Sequence, residues 1–218
     1  MFQMNDHNRV RRLPERASYD CEAIYSVLDE GLLAHVGFVV DNEAVVIPMS
    51  YGRAGNDLIL HGSVASRMLQ TLSQGVRMSV CVTLLDGVVL ARSVFHHSMN
   101  YRSVVVFGTA RTIEDGEDKM AALDALVEHL VPGRTGHARP SSKKELAATT
   151  VLRMPMQDAA LKRRMGGPSD AAMDRQLDYW AGVIPFRSVA GEPIPDAASK
   201  PRPVPEHVAE YSKGLSRV

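Results

Sequence analysis

The chain has 218 residues, enough for one well-buried core, and its 25 lysines and arginines balance 25 aspartates and glutamates. This neutral balance disfavours nucleic-acid binding as the main function, and the longest apolar runs have the length of strands rather than of membrane spans. Cys21 and Cys81 indicate no disulfide framework, and the polar N-terminus does not resemble a signal peptide. We therefore expect a cytoplasmic protein without nucleic-acid or membrane partners.

Strand patterns dominate the first half of the chain. We predict a helix over 20–30, a second helix from Ser63 to about Ser73, and strands over 32–40, 44–51, 58–61, 76–85, 88–91 and 101–111. Asp86-Gly87 is typical of a hairpin turn between two of these strands. Pro48 removes one ladder hydrogen bond and therefore indicates a sheet edge or a bulge.

The second half changes character. We predict a long helix over about 115–131, one or two helical turns over 142–149 and a last strand over 151–156. Five prolines between 193 and 205 favour an extended tail. The chain is thus divided into a polar arm (1–16), a domain (17–165) and an extension (166–218) that we expect to pack on a partner subunit. The fold class is mainly β with helices (α+β), with six to eight antiparallel strands in a small barrel.

A strand that runs directly into a helix carries the clearest chemical signal. His61, Gly62 and Ser63 end the strand, and Ser66 and Arg67 fall in the first turns of the helix. Free backbone N–H groups, two hydroxyls and a guanidinium can there face one anion, so the pattern predicts a phosphate site. The alternative is that Ser63 only caps the helix and Arg67 is a solvated surface residue.

Three motifs in order resemble a known family. They are Val45 to Tyr51, Leu60 to Arg67 and Tyr101 to Gly108, and together they are similar to the pyridoxamine 5′-phosphate oxidase-related family. The sequence is more similar to the flavin-nucleotide-binding and nitroimidazole-resistance-protein-like branch of this family, and the likeness extends over about residues 10–190. The resemblance implies an FMN-binding split β-barrel and a homodimer with flavins at the subunit interface.

The resemblance also implies roles for matched positions. It assigns the flavin phosphate to Ser66-Arg67, the flavin ring and ribityl chain to the strand around Pro48, and completion of the site to residues 101–104 of the second subunit. The residues expected to bind the cofactor are Val46, Ile47, Pro48, Met49, Ser50, His61, Gly62, Ser63, Ser66, Arg67, Met68, Tyr101, Arg102, Ser103, Val104, Lys162 and Trp180.

Two departures from the family pattern limit what is carried over. Met68 stands where many members have a lysine, so a phosphate donor is lost unless another cation substitutes; the candidates are Lys143, Lys144, Lys162 and Arg163, each of which could instead be a solvated charge. The substrate-gripping C-terminal signature of the authentic oxidase is also missing, so vitamin B6 oxidation is not expected. Trp180 packs either beside the flavin or in the core or an interface.

The histidines leave several roles open. His61 is a weak catalytic candidate as a proton donor or acceptor, or it bonds the ribityl chain or the backbone. His96 and His97 are adjacent and point to opposite faces of a strand, which makes a poor chelate, and we predict no metal-ion site.

We expect an FMN-dependent oxidoreductase that acts on a small organic substrate, with a nicotinamide or deazaflavin as electron donor. A flavin brings its own redox chemistry, so the chain needs no obvious catalytic triad. The alternatives are a flavin-binding storage or sensor protein without turnover, and a haem-binding relative with His96, His97 or His207 as axial ligand. FAD or haem would then replace FMN as the cofactor.

Overall fold

Antiparallel strands with alternating apolar side chains form two sheets, which the helices flank. The computed structural model describes residues 1–200 and 202–214. The strands in this part of the chain are β1 (Ala17–Ser18), β2 (Leu33–Val40), β3 (Glu43–Ser50), β4 (Gly52–Ala54), β5 (Asp57–Ser63), β6 (Met78–Leu90), β7 (Ser98–Gly108), β8 (Arg111–Thr112), β9 (Thr149–Pro155), β10 (Asp158–Arg164) and β11 (Gly182–Pro185). The α-helices are α1 (Cys21–Glu30), α2 (Arg67–Ser73), α3 (Gly116–Leu130), α4 (Lys143–Ala147) and α5 (Glu206–Gly214).

The larger sheet has the order β1-β10-β7-β6-β2-β3, and β11 pairs with β6 beside β2. The smaller sheet has the order β4-β5-β9-β8. This mainly antiparallel architecture with flanking helices confirms the predicted α+β fold class. No helix within residues 1–200 and 202–214 is long and apolar enough to cross a membrane.

The core lies against one face of the larger sheet. Val80 and Val82 of β6 and Val104 and Val106 of β7 are fully buried there, opposite Ala34 and Val36 of β2. Successive side chains of a strand point to opposite faces, so their neighbours along each strand point outward. Cys81 is one of these outward residues and is only half-buried.

The predicted hairpin at Asp86-Gly87 is wrong. β6 continues without a turn from Met78 to Leu90 and meets β7 through a bulge between Leu85 and Gly87. A bulge absorbs the extra residue by bending and twisting the strand, so the glycine is used without reversing the chain. A Cβ at Gly87 would lie 2.6 Å from the Ile184 carbonyl oxygen, which shows how closely β11 approaches.

Three further predictions are corrected at element boundaries. α2 begins at Arg67 rather than at Ser63, because Ser66 is the capping residue. Ser63 still belongs to β5, where it pairs with Thr149 of β9. Two more strands, β10 and β11, follow the strand that was predicted as the last. The sequence of β10 lacks a clear alternating pattern, and β11 is short. The described part of the chain therefore has eleven strands instead of six to eight, and the extension from 166 contributes one of them to the larger sheet.

A close approach between α3 and β4 gives a stability prediction. A Cβ at Gly52 would lie 2.7 Å from the Leu126 Cα, a backbone atom that cannot move aside cheaply. Gly52→Ala should therefore cost about 1–3 kcal/mol of unfolding free energy through overpacking. Gly136→Ala is the control, because nothing lies within 4 Å of a Cβ there. Thermal melts should show a lower midpoint for Gly52→Ala alone; equal midpoints for both variants would contradict the packing argument.

Candidate functional site

The start of α2 carries an unpaired cation. The Ser66 side chain accepts a hydrogen bond from the Leu69 N–H at 3.4 Å, which caps the helix. Arg67 is the first residue of α2; its side chain is exposed, and its guanidinium has no hydrogen bond or ion pair to a described residue. Met68 points the other way and is buried in the core. The helix therefore offers the Arg67 guanidinium, and not residue 68, to an anion.

The end of β5 separates His61 from this helix. A Cβ at Gly62 would meet the Leu69 side chain of α2 at 2.9 Å, so Gly62 faces α2. His61 alternates with Gly62 and therefore lies on the opposite face, shared with Ile59. Its Nδ1 atom is buried without a hydrogen-bond partner among the described residues, and burial lowers the pKa of the imidazole. His61 is consequently neutral near pH 7, with one ring nitrogen unsatisfied.

β3 is the edge strand of the larger sheet, as Pro48 suggested. Val46 and Pro48 point outward, and Val46 is 65% exposed. Ile47 and Met49 pack against the core instead, and Ser50 is half-buried. Of the β3 residues predicted to bind the cofactor, Val46, Pro48 and Ser50 have their side chains on the outward face. Ile47 and Met49 could contact a ligand on that face only through their backbone atoms.

The β7 residues predicted to bind the cofactor also point to both faces of the sheet. Tyr101 and Ser103 point outward, and the Ser103 hydroxyl lies 2.9 Å from the Thr83 hydroxyl of β6. Val104 is fully buried, and Arg102 is on the inner face. Thus only Tyr101 and Ser103 share the outward face with Val46 and Pro48.

Arg102 is fully engaged within its own chain. Its guanidinium donates to the two carboxylate oxygens of Glu30 at 2.5 and 2.9 Å and to Asp86 at 2.8 Å. These charged hydrogen bonds, first from Glu30 and then from Asp86, raise the pKa of the guanidinium. The triad ties the end of α1 to the β6 bulge, which was not foreseen because the three residues are far apart in sequence.

The other expected cations and Trp180 lie elsewhere. Lys162 points outward beside Ser103, and its Nζ donates to the Arg12 carbonyl at 2.9 Å. Lys143 and Lys144 are exposed on α4, and Arg163 is exposed on β10. The Trp180 side chain is 69% exposed and lies over Gly182. A Cβ atom at Gly182 would lie 2.8 Å from the Trp180 ring.

The connection between β6 and β7, residues 91–97, forms a loop that we call the apolar tip, and a buried carboxylate holds it in place. The Asp170 side chain is buried; it accepts from the Arg92 backbone N–H at 2.8 Å and from the Arg92 guanidinium at 2.7 Å. Beyond Arg92, Val94 and Phe95 are almost fully exposed. Because Asp170 is 78 residues from Arg92, no local sequence signal could have predicted this anchor.

His97 lies at the end of this tip, whereas His207 lies on α5 near the C-terminal end of the chain. The Nδ1 atom of the exposed His97 ring lies 3.1 Å from the Ser93 carbonyl oxygen, and the Ala91 N–H donates to the same atom at 3.3 Å when Nδ1 carries no proton. If Nδ1 carries the proton, it donates to Ser93 and leaves a lone pair on Nε2. The His207 ring stacks on His137 at 4.3 Å, with both ring nitrogens buried, and burial lowers its pKa.

A family model described as pyridoxamine 5′-phosphate oxidase matches residues 20–163. The search of curated proteins gives no significant match. The family match confirms the resemblance found in the sequence.

Two solved structures are similar over nearly their whole length. The flavocytochrome Anf3 from Azotobacter vinelandii is 36% identical, with 94% of this chain and 96% of that chain covered and a TM-score of 0.89. The FAD and heme binding protein from Mycobacterium smegmatis is 39% identical, with 90% of this chain and 97% of that chain covered and a TM-score of 0.87. A structure from Bacteroides thetaiotaomicron, described as a 5-nitroimidazole antibiotic resistance protein, is 25% identical, with 67% and 85% covered and a TM-score of 0.54.

The anchor of the apolar tip gives a pH-dependent prediction. Hydrogen bonds from the Arg92 backbone and guanidinium lower the pKa of Asp170, so its carboxylate stabilises the fold above the ordinary pKa of 3.8. That contribution disappears as the pH falls through the depressed folded-state pKa. Asp170→Asn should lower the melting temperature at pH 7 and differ less from the wild type near pH 3. Equal melting temperatures at pH 7 would contradict the anchor.

Proposed function

The chain belongs to the pyridoxamine 5′-phosphate oxidase family, and we propose that it is a flavin-dependent redox protein that also binds haem. The observation that carries this proposal is the likeness, over at least 90% of both chains, to a flavocytochrome and to an FAD and heme binding protein. Both relatives share more than a third of their residues with this chain. Such overlap favours the same kinds of cofactor, whereas a shared fold alone would not.

Arg67 is the residue that we propose for the flavin phosphate. It is an exposed guanidinium without a carboxylate partner among the described residues, next to the capping hydroxyl of Ser66. Arginine suits a phosphate because its planar group can donate two parallel hydrogen bonds. We propose FAD rather than the FMN expected from the sequence, because the Mycobacterium smegmatis relative is named for FAD.

We place the flavin ring at the outward face of β3 and a second copy of the chain over that face. Leu33, Val39, Val46 and Leu85 expose between 45% and 65% of their surface on this side of the larger sheet. Exposed apolar side chains that gather on one face of a sheet can serve as an interaction surface. A homodimer would cover it and bring Tyr101 and Ser103 of one copy towards β3 of the other.

His97 is the axial ligand that we propose for haem. In the tautomer with the proton on Nδ1, this atom donates to the Ser93 carbonyl, gives up the contact with the Ala91 N–H and leaves the Nε2 lone pair for iron. The exposed Val94, Phe95 and Met99 lie close in sequence to provide apolar contact. His207 fits less well, since both its ring nitrogens are buried in the stack with His137.

When bound, the flavin supplies two-electron chemistry and haem iron supplies one-electron chemistry. The chain's own contribution is to hold these groups and to handle protons. The imidazole of His61 is half-buried and its Nδ1 has no partner among the described residues; because burial lowers its pKa, we propose it as a neutral hydrogen-bond partner or general base beside the bound group. A small organic substrate and a reduced nicotinamide or deazaflavin are the proposed reactants. A storage or sensor protein would bind the same cofactors without steady turnover of a reduced nicotinamide.

The phosphate assignment predicts the effect of removing one guanidinium. Arg67→Ala should weaken flavin binding roughly ten- to a hundredfold, since a charged hydrogen bond contributes about 1.5–3 kcal/mol. Arg175→Ala is the matched control, because Arg175 is also exposed but belongs to a different segment. Flavin fluorescence titration of the apoprotein gives both dissociation constants. An unchanged constant for Arg67→Ala would refute the assignment.

The haem assignment predicts the effect of removing one imidazole. After reconstitution with haemin, His97→Ala should lose the low-spin Soret band or show a weakened one, because the axial nitrogen is gone. His7→Ala serves as the control, since His7 is an exposed histidine of the N-terminal arm. Spectra of reduced and oxidised protein give the comparison; a wild-type Soret band in His97→Ala would exclude this ligand.

A further inference from the structure

The C-terminal helix α5 lies against the segment that follows α3 through a stack of two histidine rings. The imidazole of His207 on α5 stacks on that of His137, with the ring centres 4.3 Å apart and the ring planes inclined by 29°. His137 ends a turn of 3-10 helix (Thr135–His137). A Cβ atom at Gly133, just before this turn, would lie 3.2 Å from the His207 Cβ, so the two segments are in close contact.

The other directional contacts of α5 stay within the helix. In the described parts of the chain, the side chains of residues 206–212 form no hydrogen bond or ion pair with another element. The Ser212 hydroxyl donates to the Ala209 carbonyl of the same helix. Between β11 and α5, the described residues form no strand or α-helix, and five prolines lie between 193 and 205. The pair of His207 and His137, which we call the histidine stack, is therefore the specific contact that holds α5.

The histidine stack suits neutral rings and not charged ones. Both ring nitrogens of His207 are buried and have no hydrogen-bond partner among the described residues. The Nδ1 atom of His137 lies 3.1 Å from the Gly133 carbonyl oxygen, to which it can donate. Protonation of His207 would leave two N–H donors and a positive charge buried without an acceptor, which is costly.

Three charged or titratable groups face His207 from the segment packed against it. Arg134 and His137 disfavour a positive charge on His207, whereas the Glu128 carboxylate favours one. Burial has the largest effect, so the pKa of His207 is lowered in spite of Glu128. On α5 itself, Glu206 and Glu210 are exposed and form no ion pair with a described residue.

Glu128 keeps its charge over the pH range in which a histidine titrates. Its carboxylate accepts from the Gly133 N–H at 2.5 Å, from the Thr135 N–H at 2.8 Å and from the Thr135 hydroxyl. These hydrogen bonds, first those from Thr135, lower the pKa of Glu128, so it is ionised above its ordinary pKa of 4.5. Its attraction for a proton on His207 is therefore constant, and the imidazole is the group that changes charge.

We propose that the histidine stack is a pH-sensitive latch, which docks α5 on the segment after α3 when both rings are neutral and releases the helix when His207 is protonated. The ordinary pKa of a histidine is 6.5, and a docked state that disfavours the proton is fully favoured only above that value. As the pH falls below 6.5, the released helix gains a proton, so the docking equilibrium weakens by up to about tenfold at pH 5.5. The latch involves neither the flavin nor the haem site, so it is tested separately from them.

Hydrogen exchange followed by mass spectrometry tests the latch on the full-length chain. Peptides that cover residues 203–212 are compared at pH 7.5 and pH 5.5, after correction for the intrinsic exchange rate. In the wild type, the protection of α5 should fall by up to about tenfold at pH 5.5, while peptides of β6 keep their protection. His207→Phe should keep α5 protected at both pH values, because phenylalanine stacks without taking up a proton.

Two further variants complete the test. His207→Ala removes the ring and should leave α5 unprotected at both pH values. His7→Phe is the matched control, since His7 is an exposed histidine of the N-terminal arm, and it should release α5 at pH 5.5 as the wild type does.

The proposal is overturned by any of four results. They are equal protection of α5 in the wild type at both pH values, loss of protection in β6 together with α5, wild-type protection of α5 in His207→Ala at pH 7.5, and an unprotected α5 in His207→Phe at either pH. Loss of protection confined to α5 in the wild type, and absent from His207→Phe, supports the latch.

Discussion

The pairing of β6 with three other strands is the constraint on which the structure depends. The thirteen residues of β6 pair with β7 along most of their length, with β2 over the first four residues and with β11 over the last four. At both of its ends β6 has partners on both edges, and a shift of one residue in its register would turn its valines to the wrong face. The bulge at Gly87 redirects the second half of β6 and creates the place for β11.

One consequence of this register is a sheet with two different faces. The inner face holds Val80, Val82 and Val104, which are fully buried, and the outer face carries polar hydroxyls and exposed apolar side chains. Antiparallel sheets commonly leave one face uncovered in this way. Flavin and partner-subunit contacts are therefore proposed on the outer face, while Arg102 on the inner face is used for structure.

The sequence could predict what local patterns determine and little of what distant residues share. Local patterns predicted a strand over 76–85 and a helix near Arg67, although this helix begins at Arg67 and not at the predicted Ser63. The turn at Asp86-Gly87 was wrong because a dipeptide that permits a hairpin also permits a bulge. Contacts such as Asp170 with Arg92 join residues 78 positions apart, so no spacing rule could predict them.

The account's central claim is that this chain carries both a flavin and haem. The most direct measurement is the absorbance spectrum of the purified full-length protein, before and after addition of FAD and haemin, with the released chromophores identified after denaturation. The account predicts flavin absorbance bands together with a haem Soret band, with about one of each chromophore per chain. A protein that remains colourless and takes up neither cofactor would contradict the claim and leave only the shared fold.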